Sequence, residues 1–581
     1  MEQTARKLNK RERHKMALSP FEYYPQIETL DFNAISEGDE FYLQDFGIFT
    51  ASIQEDYTLR LRITAGRITT AQLREISKIA DEYSLKIILT ARAGIQLHEV
   101  KSEDVLHLHK MINALGISTW QTFGDNVRNI VTDVYDGIGE TSVIETYPII
   151  LQMQEYFLKN RDLVGMLPRR ISTGISGNRT NVTSFFANDI YFALAIREGR
   201  YGFNVYMGGK NTEIAQNADI FLHSEEVVEF FIAFIETFNT YGLRFTRTRT
   251  RLFHLLEEIG MEQFLGYVKE KYQKQWEKAG ELIVEKRDFG EYESLKADKF
   301  AFCYETDFGR VTPDELIEIA SFAEATESEV RLCTDHNLYL VGLSTPDVPF
   351  TNRTYSKTVV ACAGSEYCPY SFWNIKDDAS YLLPLEKIRD RRIQIGISGC
   401  AKGCGRHQHC DIGLIGLRTA QFGATEKGAR IYIGAEHTQG LSVGRELFEM
   451  APLDHIKSII ELLIIEFDQS GCESFESFAS SVLNIYTTEF LSLWILGSLE
   501  HSSVQSLYAL QKNSLETEVF EHEKELLLQC FPTSSFIALI DDQFDDAKRY
   551  LIKGLWSKGQ SDPQIAPSIQ KLLVSKKYWE L

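Results

Sequence analysis

A chain of 581 residues, 44% hydrophobic and 12% aromatic, carries enough apolar surface for several buried cores; this excludes a disordered protein and predicts more than one domain. Its formal net charge of −21 excludes nucleic acid and anionic membrane as main partners, while leaving room for local basic pockets. Nine cysteines, an odd number with no export signal, disfavour a disulfide framework and predict a reducing, cytoplasmic setting.

Residues 1–44 read as an amino-terminal arm. Arg6, Lys7, Lys10, Arg11, Arg13 and Lys15 are followed by no apolar segment, so the expectation is a solvated basic arm or helix and not a secretory signal. No run reaches membrane-spanning length; 459–467 is broken by Glu461 and Glu466. A strand over 57–63 alternates in period two, with Arg60 and Arg62 on one side and Leu59, Leu61 and Ile63 on the other. A turn at Gly66 leads into a helix with apolar Leu73, Ile76, Ile79 and Ala80. A second strand, 86–90, continues past Arg92 into Ile95, Gln96, Leu97 and His98.

The chain then repeats itself. Residues 169–178 and 391–400 differ only at their fourth, fifth and tenth positions. The same register carries Asp189-Ile190 onto Asp411-Ile412, and a small insertion later Val205-Tyr206 falls on Ile431-Tyr432. Gly66-Arg67-Ile68-Thr69 likewise matches Gly309-Arg310-Val311-Thr312. This is duplication of a whole half and not a solenoid of short repeats. The predicted fold is α+β, with two related halves about a pseudo-two-fold axis and a cofactor between them. Composite half-domains at 45–115 and 300–346, α/β domains at 116–299 and 347–490, and a helical carboxy-terminal extension at 491–581 complete the layout. In that extension 523–528 and 545–551 have helical patterning and Pro563 and Pro567 mark a loop; a cap on the core or a docking module both fit.

Four cysteines carry the chemistry: Cys362 and Cys368, then Cys400 and Cys404, in turn-rich, glycine-bearing segments. Four thiolates from short loops suit a cubane iron–sulfur cluster, although one such pair alone also suits zinc. In the first half Asn178 and Val182 stand where the second has Cys400 and Cys404. Cys303, Cys333, Cys472 and Cys530 are scattered and read as core or inert thiols. Cys410, in the tract His407-Gln408-His409-Cys410, reads as part of a strand approach and not as a ligand.

With Leu-Arg-Leu-Arg at 59–62, Gly-Asp-Asn-Val-Arg-Asn at 124–129 and Leu-Pro-Arg-Arg at 167–170, the sequence resembles the siroheme-dependent nitrite and sulfite reductase family over 5–490, nearer its ferredoxin-type nitrite branch. The resemblance implies a [4Fe–4S] cluster on Cys362, Cys368, Cys400 and Cys404, with Cys404 also the axial ligand of the siroheme iron. It implies Arg60, Arg128, Arg170 and Ser172 at the substrate anion. Arg62, Arg92, Gln96, Gly208, Gly209 and Lys402 would line the macrocycle. Arginine suits both tasks, because its planar fork pairs carboxylates and oxyanions and keeps its charge. Arg170 replaces the family's usual Lys, and Ala401-Lys402 its usual Pro-Asn. Ser172 stands where sulfite reductases typically carry Lys and nitrite reductases Asn, and its neutrality favours nitrite. The implied reaction is six-electron reduction of nitrite to ammonium by a monomer fed by ferredoxin. Sulfite reduction, a precorrin-3B synthase-like monooxygenase and an iron–sulfur electron carrier are the alternatives. The absence of a dinucleotide fingerprint argues against direct NAD(P)H oxidation.

Overall fold

The computed structural model describes residues 7–50, 56–286, 292–351, 358–419, 426–500 and 506–513, with Leu526 and Cys530. It divides into two units: 1–357 with 438–440, and 358–437 with 441–581.

The first unit holds two five-stranded sheets built on the same plan. In one, strands Tyr57–Leu61, Gly94–Val100 and Lys86–Thr90 lie side by side; in the other, Lys299–Tyr304, Leu338–Leu343 and Glu329–Leu332 do. Each sheet gives one short strand to the other. Arg67–Ile68 pairs antiparallel with Glu329–Leu332, and Arg310–Val311 pairs antiparallel with Lys86–Thr90. Gly66 and Gly309 make this exchange possible. Both adopt left-handed backbone (φ 73° and 89°), and a side chain on Gly66 would sit 2.1 Å from the Leu332 carbonyl oxygen. The helices that follow start on matching capping boxes, Thr69 with Gln72 and Thr312 with Glu315, each worth about 1 kcal/mol. Those helices, Thr70–Glu82 and Pro313–Ala325, are joined by Arg74 to Glu324 (2.7 Å) and by the Ser77 hydroxyl to the Pro313 carbonyl (2.7 Å). Predicted apolar positions Leu73, Ile76, Ile79 and Ala80 are buried in a core shared with Leu316 and Ile319.

The rest of this unit is the first α/β copy. Thr173–Ser176 runs parallel to Ile190–Arg197, which pairs antiparallel with Arg200–Met207 and through it with Gln216–Leu222. Helix Val227–Tyr241 buries Phe230, Phe231, Phe234 and Phe238 against Ile190, Phe192 and Val205.

The second unit repeats that arrangement. Ile395–Ser398 runs parallel to Ile412–Thr419, which pairs antiparallel with Glu426–Ile433 and onward to Arg445–Pro452. Thr173 faces Ile190 in one copy and Ile395 faces Ile412 in the other; Phe192 faces Val205 and Leu414 faces Ile431. The duplication read from sequence is therefore a duplication of strand register.

One expectation is corrected at the amino terminus. The basic segment is the solvated helix expected except at one residue: helix Lys10–Ala17 is capped by Asn9 and leaves Lys10 and Arg13 exposed, but Lys15 is 3% exposed. Helices Thr488–Glu500 and Leu507–Asn513 begin the predicted extension, while 545–551, Pro563, Pro567 and all of 523–528 except Leu526 lie outside the described residues. Among the described residues no single helix is long and apolar enough to cross a membrane.

Candidate active site

In the first unit the arginines singled out from sequence converge. Arg60 faces Gln96 across adjacent strands, and with the Gln96 amide oxygen turned toward it the guanidinium donates from Nε (2.9 Å). The same guanidinium lies over Phe49 and Phe123 (5.3 and 4.9 Å to the ring centres), and Arg128 lies 4.9 Å from the centre of Phe123 as well. An aromatic face tolerates such neighbours because its quadrupole attracts each cation. Arg128 donates from Nη2 to the Gly124 carbonyl (3.0 Å) and from Nη1 to the Thr122 carbonyl. Burial is the first cause holding its pKa well below the ordinary arginine value, followed by the charges of Arg170, Arg60 and Arg92. Arg169, beside Arg170, is pushed down to about 9 by burial and then by Arg247. Arginine keeps its proton under these conditions, so the crowding amounts to a strong positive potential. A bound anion relieves it, and a polycarboxylate macrocycle and a small oxyanion both fit that requirement.

Several residues expected at this site do something else. The strand ends at Leu61, and Arg62 pairs beyond it with Ser118. Its guanidinium stacks 5.0 Å from Phe157 and donates from Nη2 to the carbonyls of Gln121 and Val127 (both 2.9 Å). Arg62 thus pins the loop that bears Arg128, and it does not share a surface with Arg60. Burial pushes it down to about 9. Ser172, expected at the anion, is 1% exposed, and its hydroxyl donates to Asp189 Oδ2 (2.6 Å). Asp189 in turn accepts from Arg251 Nε (2.8 Å) on Oδ1. The proton of Ser172 is therefore committed to an internal ion pair. A side chain on Gly209 would lie 2.3 Å from the carbonyl oxygens of Phe186 and Asn188, so this backbone runs close against its own chain. Gly208 before it is left-handed (φ 85°). Arg92 donates from Nη1 to Asn188 Oδ1 (3.4 Å), which ties it to that same loop.

In the second unit the four predicted thiols come together. Cys362 follows strand Val359–Ala361, donates its N–H to the Ile397 carbonyl (2.9 Å), and receives on Sγ the N–H of Gly399 (3.2 Å). Its thiol is pushed up to about 12, first by burial and then by the charge of Cys404. Cys368 is raised by burial and by Cys404 and Cys400, and Cys400 by burial and by Cys404. Cys362, Cys368 and Cys400, each hindered in its ionisation by burial and by the neighbouring Cys404, are poor free cysteines and good metal ligands, since a cation reverses the penalty. The donor set fits a four-iron cluster. Lys402 is exposed, with Nζ 2.8 Å from the centre of the Tyr370 ring. Cys410 stands apart, buried, its Sγ donating to the Ile412 carbonyl (3.2 Å).

The first copy shows what takes the place of the thiols. Strand register aligns Val131, opposite Gly174, with Val360, opposite Gly396, so that Asp133 occupies the place of Cys362. The Asp133 carboxylate accepts from Asn178 Nδ2 and from the Val182 N–H, both at 2.8 Å. Three ligand positions of one copy are thus, in the other, a hydrogen-bonded knot around one carboxylate. Sequence reading missed Asp133, since its match to Cys362 emerges only from the strand pairing. It also missed the Asp189–Arg251 pair, although the match of Asp189 to Asp411 was there to find it.

Comparison with known proteins gives a consistent picture. The description "Nitrite and sulphite reductase 4Fe-4S domain" matches residues 123–276, the cysteine-free copy, and "Nitrite/Sulfite reductase ferredoxin-like half domain" matches 52–115. The chain is 28% identical over 498 residues to a ferredoxin–nitrite reductase of Synechococcus elongatus, covering 80% of this chain and 97% of that one. It is 26% identical over 448 residues to the chloroplastic ferredoxin–nitrite reductase of Spinacia oleracea, covering 71% and 75%. An assimilatory ferredoxin-dependent nitrite reductase of Haloferax mediterranei is 25% identical over 471 residues. Among solved structures, the Mycobacterium tuberculosis NirA protein superposes with a TM-score of 0.73 at 22% identity, over 81% of this chain and 96% of that one, a likeness of fold.

Proposed function

We propose that this chain is a member of the nitrite and sulfite reductase family, an oxidoreductase with siroheme and a [4Fe–4S] cluster as its cofactors, and that it reduces nitrite to ammonium with electrons from a ferredoxin. The observation that carries the reading is that Arg60 and the buried Arg128 pack on the same Phe123 ring, each 4.9 Å from its centre, with the charges of Arg170 and Arg92 also bearing on Arg128. Such a cluster requires anions, and the reaction supplies two kinds: the carboxylates of siroheme and the nitrite ion.

Cys362, Cys368, Cys400 and Cys404 would hold the cluster in this reading, and Cys404 would also ligate the siroheme iron. When bound, that pair of cofactors would supply single-electron transfer to the substrate. The chain's own residues do the rest. Arg60, Arg128 and Arg170 bind the anion and stabilise negative charge as it develops. Arg92 takes a macrocycle carboxylate. Gln96 orients Arg60, and Arg62 holds the 121–127 carbonyls in place. Ser172 keeps Asp189 aligned with Arg251 and stays off the anion. Gly208 and Gly209 let the loop backbone approach the macrocycle, and Lys402 is assigned to pairing a carboxylate. Arginine cannot readily give up a proton, so with Arg170 in place of Lys the protons come through water organised by the cluster.

The test is direct. Reduced ferredoxin or a chemical reductant, supplied to purified holoenzyme, should yield ammonium from nitrite. Faster turnover of sulfite to sulfide would reverse the substrate assignment, and absorbance from a cluster without siroheme would sink the reductase reading altogether.

A further inference from the structure

The amino-terminal helix Lys10–Ala17 reaches toward the arginine cluster through one side chain. The Lys15 ammonium donates to Glu12 Oε1 (2.8 Å), Asp125 Oδ2 (2.8 Å) and the Leu167 carbonyl (2.7 Å). An ammonium has three donor hydrogens, so these bonds saturate it. Two of the acceptors sit on different loops. Asp125 lies three residues before Arg128, and Leu167 lies three residues before Arg170. Arg247 grips the same two loops, with Nη1 and Nη2 on Asp125 Oδ2 and Oδ1 (2.8 and 2.7 Å) and Nη1 reaching the Pro168 carbonyl (3.4 Å). Burial alone would raise the Asp125 carboxyl, yet Lys15 and Arg247 hold it well below the usual carboxylate range.

Beyond Asp125 the two loops are stitched by backbone. The Ile171 N–H donates to the Asn126 carbonyl (3.0 Å), and the Arg128 N–H donates to the Ile171 carbonyl (2.8 Å). Those bonds sit beside the guanidiniums that repel one another. At the far end of the loops, among the described residues, the bridges run through side chains: Asn126 Oδ1 accepts from the Gly165 N–H (2.7 Å), and Lys15 and Arg247 join Asp125 to the Leu167 and Pro168 carbonyls.

We infer that Lys15 is a positioning residue for the anion site, a brace that sets the separation of the Arg128 and Arg170 loops from outside the cluster. The amino-terminal segment, basic in sequence and expected to be solvated, is on this account part of the substrate-binding apparatus. The inference rests on the reading that Arg128 and Arg170 bind the substrate anion.

Lys15→Met keeps length and removes charge and donors. Purified holoenzyme carrying it should bind nitrite, titrated by the siroheme absorbance and expressed per siroheme, roughly ten- to hundredfold more weakly, the scale expected when binding groups shift by about an ångström. Amide hydrogen exchange should quicken in 121–129 and 165–171. Lys15→Arg, which keeps the charge, should recover part of both effects. Wild-type nitrite affinity with unchanged exchange in both loops would overturn the inference. Should Lys15→Met fail to fold, Asp125→Asn probes the same bond from the other end and decides by the same two readouts. Arg128→Met, run in parallel, separates the two levels: unchanged nitrite affinity there removes the functional reading, while the exchange data still decide whether Lys15 braces the loops.

Discussion

The two α/β copies keep one strand register and fill it with different chemistry. Where the second copy has Cys362, Cys400 and Cys404, the first has Asp133, Asn178 and Val182, joined by two hydrogen bonds. A convergence of loops turns backbone N–H groups and side chains inward, and something must satisfy them. In one copy a buried carboxylate does so; in the other, thiols stand ready for iron. A second pair of positions behaves the same way. Asp189 and Asp411 each accept a backbone N–H at 2.8 Å, from Ser172 and Gln394. Asp189 then meets Arg251 at 2.8 Å, whereas Asp411 meets His437 at 3.5 Å. The scaffold constrains where polar groups gather and leaves open which group completes them.

That comparison can be broken most sharply at the ligand loops. Cys404→Ser should remove nearly all cluster iron and labile sulfide and abolish turnover, read by metal analysis and absorbance. Its counterpart Val182→Ala should keep full iron content and lose about 1–2 kcal/mol of stability in chemical denaturation. Equal iron loss from both would end the claim that only one copy is ligand-bearing. Next in size, Asp189→Asn should cost about 3 kcal/mol, because it strands the largely buried Arg251 guanidinium. Asp411→Asn should cost less, since the imidazole of His437 lies farther away, at 3.5 Å. Asp133→Ala should lower stability by about 2 kcal/mol, the penalty of leaving the Asn178 amide and the Val182 N–H without their acceptor, with iron content untouched.

The smallest effect sharpens the contrast between the units by pH. Asp45 in the first is pushed up to about 7 by burial and then by Asp125, and Glu466 in the second up to about 7 by burial. A raised carboxyl pKa favours the neutral form in the folded state. The stability each contributes is therefore complete below its ordinary value and is lost as pH rises through about 7. Each group can add a slope of up to about 1.4 kcal/mol per pH unit across that window. Asp45→Asn should flatten the pH profile of first-unit unfolding, and Glu466→Gln that of the second. Profiles unchanged by both substitutions would show that these carboxyls titrate normally.

Much of this was legible in the chain itself. The repeat at 169–178 and 391–400 translates directly into paired strands, because identical alternation of apolar residues buries the same face in each copy. The four cysteines were recognisable by their paired spacing, and Arg60, Arg92, Arg128 and Arg170 by the resemblance of their motifs to the reductase family. Arg62 and Ser172 were not placed correctly. Alternation predicts direction only within a strand, and Arg62 lies just past its end; Ser172 has a buried carboxylate 17 positions along the chain that no local pattern announces. The exchange of Arg67–Ile68 and Arg310–Val311 between sheets was hidden for a related reason, since pairing of a two-residue strand depends on which distant edge is free.

The sequence by itself determined the duplication, the thiol set and the concentration of cationic residues, all properties of local pattern and residue type. Only the tertiary structure decided that Asp133 replaces a ligand, that Arg62 and Ser172 turn inward, and that Lys15 lies between two loops rather than in water. Each of those outcomes depends on buried polar groups finding partners far along the chain, and that matching is fixed when the loops meet.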